Sequence, residues 1–353
     1  MQVQDLDTPC AVVDLDVMEN NLRRCQTYLD RHGLRLRPHI KTHKIPEFAH
    51  WQIRLGAKGI NCQKLGEAEV MADAGIADIL LTYNLIGAAK LDRLVALARR
   101  VDLKVVADSA EVVEGLSHAM SRAGLSLPVL VECDTGAARC GVTAPAQALA
   151  LAQAIDKAPG LKLGGLMTYP AKNAAAKTSA WLSEAVELCK RSGLSVETIS
   201  NGGTPDLYRA HDVTAATEHR PGTYIYSDRC HVETHKMGGF EDCALRVQAR
   251  VVSHAAEDRC VIDAGSKSLS SDLLGLSGYG RILEHLDWEI YGLSEEHGHV
   301  RAPPGSARPR IGELVTVIPN HVCVVTNLTD RVYAARQGRV EMVYEVAARG
   351  KVL

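Results

Sequence analysis

Along the first two thirds of the chain, short apolar runs alternate with longer segments in which apolar residues recur at helical spacing. A strand at residues 11–15 and a helix at 17–31 come first. The later apolar runs end near Ile40, Asn61, Leu81, Ala107, Glu132, Thr168, Ser200 and Thr217. Helical spacing is clearest over residues 64–74, 88–99, 144–157 and 177–192. Strands that alternate with helices in this way predict βα units, and we expect a (β/α)8 TIM-type barrel over residues 16–236. A doubly wound parallel sheet is the competing arrangement.

The pattern changes after about Met237, where segments become Val-rich and alternate between apolar and polar residues. These segments lie at residues 245–252, 260–263, 314–317, 331–335 and 340–343. Alternation with period two, interrupted by Gly and Pro, is typical of antiparallel strands. We therefore predict a second, mainly antiparallel β domain over residues 237–353, with residues 298–309 as an exposed loop.

Composition excludes several classes of function. The formal net charge is -2 and aromatic residues make up 4% of the 353 residues, so neither nucleic acid nor an anionic membrane is an expected partner. No apolar run reaches the ~18 residues of a membrane helix, and the N-terminus lacks a secretory signal pattern. The ten cysteines are scattered without a C-x-x-C pair, so we expect reduced thiols and a cytoplasmic protein.

Residues 37–44, RPHIKTHK, place a lysine, Lys41, at the predicted end of the first barrel strand, between His39 and His43. A partly desolvated lysine loses its proton more easily and can then attack a carbonyl group. The alternative interpretation is a basic surface loop. Because catalytic groups of such barrels lie at the carboxyl ends of the strands, the other strand ends help to decide between them.

Two glycine-containing segments follow the last two predicted strands, at residues 201–205 (NGGTP) and 221–223 (PGT). Glycine lets a ligand approach the backbone, and exposed N–H groups at such turns bind phosphate. In barrels the phosphate site commonly uses the loops after strands seven and eight, although turns also require glycine for purely structural reasons. A reactive lysine opposite a phosphate site predicts pyridoxal 5'-phosphate, held covalently by Lys41.

A metal site is predicted in the β domain at residues 318–324, IPNHVCV. On an extended segment His321 and Cys323 would point to the same side, as two metal ligands must. A thiolate favours zinc, with manganese and magnesium as alternatives. The competing interpretation is a His and a Cys in an ordinary core. The preceding cluster at residues 294–298, SEEHG, is either a charged loop or a substrate-binding segment.

Seven segments of the chain together resemble the D-threonine aldolase and D-serine dehydratase family. In chain order they are RPHIKTHK, DTGAARCGV, NGGTPD, RPGTYIY, DAGSKSLSSD, EEHG and PNHVC. The resemblance covers nearly the whole chain, and its most specific parts are the first and the last. It implies an alanine racemase-type fold, in which residues 1–15 join the β domain, and a homodimer that acts on a small D-amino acid.

The resemblance also implies roles for individual residues. Lys41 would carry the cofactor, and His321 and Cys323 would bind the catalytic metal. The implied cofactor-binding residues are Arg139, Tyr169, Gly202, Gly203, Thr204, Arg220, Gly222, Thr223 and Tyr224, with Arg220 matching an arginine that faces the pyridine nitrogen in alanine racemases. His43 and His297 are the candidates for a catalytic base.

The expected reaction is a metal-assisted lyase reaction on a D-3-hydroxy amino acid. Retro-aldol cleavage to glycine and an aldehyde is the first expectation, and dehydration to a keto acid and ammonia is the alternative. DTGAARCGV favours the aldolases, whereas NGGTPD and the His-x-Cys pair favour the dehydratases, because aldolases carry His-x-Asp. A racemase, with Tyr169 or Tyr224 as its base, and a non-catalytic cofactor-binding protein are the remaining hypotheses.

Overall fold

The computed structural model describes residues 1–256, 258–306 and 310–353, and the chain divides into two compact units. The barrel unit consists of Arg24–Lys41, Pro46–Gly222 and Lys351–Leu353. The β unit consists of Met1–Arg23, Thr42–Ile45 and Thr223–Gly350. The first strand and the first helix of the chain are β1 (Cys10–Asp14) and α1 (Leu15–Arg31).

The barrel unit is built from parallel strands with helices between them. Its strands are β2 (Arg35–Leu36), β3 (Ile60–Cys62), β4 (Asp78–Leu81), β5 (Asp102–Ala107), β6 (Leu127–Cys133), β7 (Leu161–Thr168), β8 (Thr198–Asn201) and β9 (Glu218–His219). Its helices are α2 (Pro46–Arg54), α3 (Leu65–Asp73), α4 (Ala88–Ala98), α5 (Ala110–Arg122), α6 (Pro145–Lys157) and α7 (Ala175–Arg191). The predicted (β/α)8 TIM-type barrel is therefore confirmed.

The parallel sheet runs in the order β2-β9-β8-β7-β6-β5-β4-β3 and closes between β2 and β3. Across the closure the Lys58 N–H donates to the Leu36 carbonyl and the Asn61 N–H donates to the Pro38 carbonyl, both at 2.8 Å. The first barrel strand ends at Leu36 and not near Ile40 as predicted. Pro38 has no N–H to continue the ladder, and the chain turns into a single 3-10 turn at Ile40–Thr42.

The barrel strands bring polar and apolar residues into one register row. Glu132, Met167, Ser200 and Glu218 are side-by-side partners on β6, β7, β8 and β9. Met167 also belongs to a buried apolar cluster with Leu80, Val106 and Leu130. Met167 is therefore the one apolar member of this row, and its three partners on β6, β8 and β9 are polar.

The β unit is a mainly antiparallel sheet, as the alternating pattern predicted. Its further strands are β10 (Leu245–Ala256), β11 (Arg259–Ile262), β12 (Arg281–Ile282), β13 (Glu289–Leu293), β14 (Gly298–Arg301), β15 (Leu314–Ile318), β16 (Arg331–Arg336) and β17 (Arg339–Glu345). One helix among the described residues of this region, α8 (Val322–Leu328), follows β15. The sheet order β13-β14-β11-β10-β1-β16-β17 places the N-terminal strand in the middle, antiparallel to β10 and parallel to β16.

Two predictions for the β unit are wrong in part. Residues 298–301 form strand β14 and not a loop, because Gly298 pairs with Ile262 and with Leu293; residues 307–309 of the predicted loop lie outside the described residues. The predicted extended segment at residues 318–324 ends at Ile318, since Pro319 interrupts the ladder and α8 begins directly after His321, its N-cap residue.

None of the helices in the described chain combines the length and the apolar character that a membrane crossing requires.

Candidate functional site

Lys41 lies half-buried in the 3-10 turn that follows β2, next to a buried histidine. The Gln63 amide donates its Nε2–H to the Thr82 carbonyl at 2.8 Å, so its Oε1 is the atom that faces His39 Nε2 at 3.1 Å. His39 therefore carries its proton on Nε2 and turns the Nδ1 lone pair toward the Lys41 backbone N–H, 3.4 Å away. Burial, and then the positive charges of Lys41, Arg220 and Arg139, hold the pKa of His39 well below its usual range. The charges of these three predicted site residues thus converge on one neutral imidazole.

The two glycine segments after β8 and β9 lie against each other. The Gly222 N–H donates to Thr204 Oγ1 at 3.0 Å, and His219 Nε2 lies 3.0 Å from the Gly203 carbonyl oxygen. Gly203 has a φ of +129°, and a Cβ there would lie 3.0 Å from Tyr169 Cε2. The backbone of this turn can therefore be approached closely only while residue 203 remains a glycine.

Arg220 lies buried beside the same turn. Its Nη1 donates to Ser200 Oγ at 2.7 Å and its Nη2 donates to the Thr168 carbonyl at 2.8 Å. A Cβ on Gly202 would come within 2.8 Å of Nη2. Burial lowers the pKa of Arg220 to about 10, which the negative charges of Glu218 and Glu132 partly oppose. The guanidinium therefore remains a fixed positive charge at neutral pH.

Arg220 is connected through Ser200 to a buried network of charged residues that the sequence analysis missed. Ser200 Oγ donates to Glu218 Oε1 at 2.5 Å, and Arg37 Nε donates to Glu218 Oε2 at 2.8 Å. Arg37 also donates its Nη1–H to Asp78 Oδ1 at 2.7 Å. Ser200 accepts a hydrogen bond from Arg220 and donates one to Glu218. The Ser200 hydroxyl therefore links the Glu218 carboxylate to the Arg220 guanidinium. Arg37, a charged residue inside a predicted apolar strand, was the available signal, whereas Glu218 lies just after the predicted end of its strand near Thr217.

Glu132, at the carboxyl end of β6, is the acidic member of this region. Burial, and then the negative charge of Asp108, raise the pKa of Glu132 to about 7, while Arg139 and Arg220 act in the opposite direction. Arg139 itself lies over the half-exposed Tyr169, with 4.6 Å between its Cζ and the ring centroid. The structure thus places Arg139 and Tyr169 in contact, as neighbouring site residues would be.

Several observations test whether these residues fit pyridoxal phosphate. Three buried polar atoms at this end of the barrel, Asn61 Oδ1, Asn201 Oδ1 and His219 Nδ1, have no hydrogen-bond partner in the part of the chain that the structure describes. Unsatisfied buried polar atoms are costly unless a bound group completes them. Together with the glycine turn and the buried Arg220, they fit a polar, anionic ligand held at the carboxyl ends of the strands.

In the β unit, His321 and Cys323 come together as the N-cap and the second residue of α8. His321 Nδ1 lies 3.0 Å from Asp228 Oδ2, a carboxylate that the sequence analysis did not single out. Burial would lower the pKa of His321, but the negative charges and hydrogen bonds of Cys323 and Asp228 raise it to about 11. Two anionic groups therefore flank one imidazole, an environment that favours an additional positive charge.

The donor set fits a metal only as a partial shell. Across residues 1–256, 258–306 and 310–353, no group of three or more His, Cys, Asp or Glu side chains is arranged to hold a metal ion. His321 and Cys323 would thus supply two ligands, with Asp228 behind the histidine, as carboxylates lie behind metal-bound histidines. The remaining positions would belong to solvent and substrate, as in open catalytic sites.

The remaining predicted residues of the β unit are placed as follows. Thr42 Oγ1 lies 3.3 Å and Thr223 Oγ1 lies 3.9 Å from Cys323 Sγ. His43 is fully buried, and its Nδ1 accepts the Ile45 N–H at 3.0 Å. Tyr224 is buried in the 3-10 turn Thr223–Ile225. His297 is exposed between β13 and β14. The structure thus groups Thr42 and Thr223 with the proposed metal ligand Cys323.

Comparison with known proteins identifies two matching families. Residues 13–230 match the family described as alanine racemase, N-terminal domain. Residues 244–335 match the family described as putative serine dehydratase domain. The two matches follow the barrel and the antiparallel sheet in order.

Individual relatives match along nearly the entire chain. A D-threonine aldolase from Arthrobacter sp. is 37% identical over 98% of this chain and 93% of its own. The crystal structure of D-threonine aldolase from Filomicrobium marinum has a TM-score of 0.92 at 34% identity, covering 99% of this chain and 98% of that one. A D-threo-3-hydroxyaspartate dehydratase from Delftia sp. is 32% identical over 90% of this chain and 91% of its own. A metal-free structure of a cysteine-to-alanine variant of such a dehydratase has a TM-score of 0.89 at 30% identity, covering 98% of each chain.

Proposed function

Because the chain belongs to the D-threonine aldolase and D-serine dehydratase family of alanine racemase-type, fold-type III enzymes, we propose that it cleaves D-3-hydroxy amino acids to glycine and an aldehyde. Family membership makes the chain a pyridoxal-phosphate-dependent lyase. The observation that carries the proposed reaction is the whole-chain likeness to D-threonine aldolases, at 37% identity in sequence and a TM-score of 0.92 in structure.

A dehydratase reaction, giving a keto acid and ammonia, is the second candidate. The observation that favours it is Cys323 next to His321, the donor pair that the resemblance associates with dehydratases. The same fold and the same cofactor serve both reactions, so the choice depends on the groups that act on the substrate's hydroxyl.

Lys41 is the residue that we propose to carry the cofactor. Pyridoxal phosphate supplies an electron-withdrawing ring that stabilises negative charge at the substrate's α-carbon. Gly202, Gly203, Thr204 and Gly222, with Thr223 next in the chain, would hold the phosphate through backbone N–H groups and hydroxyls. The contact between Gly222 and Thr204 supports this assignment, because it joins the two turns.

The remaining barrel residues would orient and polarise the ring. Arg220 would present its fixed positive charge to the ring nitrogen, since Ser200 and the Thr168 carbonyl hold both ends of its guanidinium. Arg139 and Tyr169 would line the cofactor site, and Tyr224 is proposed with them. Because two hydrogen bonds already fix the guanidinium, little reorganisation would be needed when negative charge develops on the ring.

We further propose that the reaction is assisted by a divalent metal bound by His321 and Cys323, with zinc preferred because of the thiolate. The metal would polarise the substrate's 3-hydroxyl group. His297 is the better candidate for the base, since His43 is fully buried and its Nδ1 already accepts the Ile45 N–H. A homodimer is also proposed, and light scattering on the purified protein checks it.

Product analysis tests the proposed function. The purified enzyme is incubated with D-threonine and pyridoxal phosphate, and all four products are quantified. We expect glycine and acetaldehyde in equal amounts; 2-oxobutanoate and ammonia would instead assign the dehydratase reaction. If D-threonine, D-serine and D-3-hydroxyaspartate each yield neither glycine with the corresponding aldehyde nor the corresponding keto acid with ammonia, the proposal is refuted. Loss of activity in EDTA, with recovery on adding Zn²⁺ or Mn²⁺, is the result expected for the metal, and full activity in EDTA would contradict it.

A further inference from the structure

Asp228 is a buried carboxylate that contacts the segment carrying the proposed metal ligands. It is fully buried, and its Oδ2 lies 3.0 Å from His321 Nδ1. The same oxygen accepts the Val322 N–H at 3.3 Å, and Oδ1 accepts the His231 N–H at 2.9 Å. The carboxylate therefore contacts both the ring of His321 and the first turn of α8.

Neighbouring backbone bonds fix this contact in place. The Arg229 N–H donates to the Pro319 carbonyl at 3.1 Å, and the Cys230 N–H donates to the Asn320 carbonyl at 3.3 Å. Two consecutive residues after Asp228 are thus tied to the two residues before His321. Ser227 adopts a φ of +54°, which turns the chain immediately before the carboxylate.

The contact determines which nitrogen of His321 is available. A carboxylate only accepts hydrogen bonds, so Nδ1 must carry the proton that it donates to Asp228. When a metal displaces the other ring proton, the lone pair that binds it therefore lies on Nε2. The hydrogen bond also makes Nε2 a stronger donor to a metal and fixes the plane of the ring.

The burial of Asp228 also favours a cation at His321. A fully buried carboxylate is unfavourable unless it is paired or hydrogen-bonded. Among the residues that the structure describes, the side chains that pair with it are His321 and, with its Nδ1 at 3.9 Å, His231. A cation bound on the far side of His321 would compensate the negative charge through the ring.

We propose that Asp228 is the positioning residue of the metal site: it holds His321 in the Nδ1–H form so that Nε2, with the Cys323 thiolate, binds the metal. This inference rests on the proposed metal-assisted function and adds to it a residue that contacts neither metal nor substrate. Carboxylates in this position typically contribute 10- to 100-fold to metal affinity.

The test compares the zinc affinity of three holoenzymes, wild type, D228N and D263N, by competition with a chromophoric chelator. Asp263 is the matched control, because this carboxylate of the same unit likewise accepts hydrogen bonds from a side chain, the Thr8 hydroxyl, and from the backbone, the Arg250 N–H. We expect D228N to bind Zn²⁺ about 10- to 100-fold more weakly and D263N to match the wild type. D228N should recover most of its activity at saturating Zn²⁺, whereas C323A should not.

Two further measurements separate a loss of metal binding from a failure of D228N to fold. The Co²⁺-substituted wild type should show a thiolate-to-metal absorption band that D228N develops only at higher Co²⁺ concentration. In the Zn²⁺-loaded wild type, ¹⁵N NMR should show His321 bound through Nε2 with Nδ1 protonated, a result that needs no variant and stands even if D228N does not fold.

Each contrary result has its own meaning. Equal zinc affinity in D228N and the wild type, or metal bound through Nδ1 of His321, would overturn the role of Asp228 and leave the metal-assisted function intact. A wild type that binds neither Zn²⁺ nor Co²⁺ would overturn both.

Discussion

Lys41 and Lys44 belong to the same octapeptide, yet the structure gives them different surroundings. Lys41 is half-buried in the turn after β2, whereas Lys44 is buried and donates its Nζ–H to the Ala348 carbonyl at 3.3 Å. Because the Lys44 amine already donates this hydrogen bond to the Ala348 carbonyl, Lys41 is the lysine better suited to bind the cofactor. The sequence favoured Lys41 through its predicted strand-end position and the resemblance, and the surroundings of Lys44 add a structural reason.

We predict that Lys41→Ala loses the covalently held cofactor and that Lys44→Ala retains it. Activity of the Lys41 variant should fall by about 10²–10⁴-fold or more, because both attachment and proton transfer are lost. Borohydride reduction followed by peptide mass mapping checks this: the cofactor mass should appear on the peptide that contains Lys41. Labelling of Lys44 in the wild type would refute the assignment.

Glu132 predicts a pH dependence of stability. Its pKa rises from the ordinary value near 4.5 to about 7 on folding, so the folded state keeps a proton that the unfolded state has already lost. Stability should therefore decrease as pH rises from about 4.5 to about 7 and change no further above that range, by at most about 3 kcal/mol. In cofactor-free Glu132→Gln this decrease should disappear when denaturant unfolding is measured across the range.

Neighbouring carboxylates give the controls for Glu132. Asp108→Asn should move the decrease to lower pH, because the charge of Asp108 helps to raise the pKa of Glu132. Asp102→Asn, at an exposed carboxylate of β5, should leave the window unchanged. A wild-type decrease that persists in Glu132→Gln would assign it to another group.

The sequence could predict residues that carry a motif but not those that act through distant partners. Lys41, Gly203 and His321 were found from local patterns and the resemblance. Asp228 was not, because its partner lies 93 residues further along the chain, and no local pattern marks it. Glu218 was missed for the same reason, since Arg37 is 181 residues away.

At the scale of elements, the segment after β15 shows how local rules compete. Val-rich sequence at residues 322–325 predicts a strand, but α8 forms there. Pro319 ends the ladder, and the Asn320 amide donates to the Gly278 carbonyl at 2.8 Å, which holds the chain away from the sheet. His321 and Cys323 therefore approach each other across the first turn of α8 and not by strand alternation, although the predicted pair was the same.

Strand β1 carries a prediction about the β unit. Val13 is fully buried and pairs with Leu245 on one side and Ala334 on the other. Val13→Asp would bury an unpaired charge in the middle of the sheet and should cost more than about 4 kcal/mol, enough to abolish the folded state. Val252→Asp, on the neighbouring β10 but 46% exposed, is the matched control and should cost at most about 1 kcal/mol. Denaturant unfolding measures both, and similar values would show that β1 is not an integral strand.

For the whole molecule, the order of elements was predictable and the long-range pairing was not. Alternating apolar runs and amphipathic helices indicated the barrel, and period-two patterns indicated the second sheet. The resemblance implied only that residues 1–15 join the β domain. The position of β1 between β10 and β16 comes from the structure, because no composition pattern indicates that residue 12 pairs with residue 333.

The choice between the two lyase reactions can be tested at the same donor pair. Cys323 follows His321 at the start of α8, where an aspartate is well tolerated because helix N-termini favour negative charge. Replacing sulfur by carboxylate oxygens should shift metal preference from Zn²⁺ toward Mn²⁺ and Mg²⁺. We therefore predict that metal-free Cys323→Asp is reactivated best by Mn²⁺, the wild type best by Zn²⁺, and Cys323→Ala by neither.

The ratio of the products formed from D-threonine completes the test. If the donor decides the reaction, the share of glycine and acetaldehyde is at least as high in Cys323→Asp as in the wild type. A changed metal preference with an increased share of 2-oxobutanoate would mean that residues outside the donor pair choose which bond breaks.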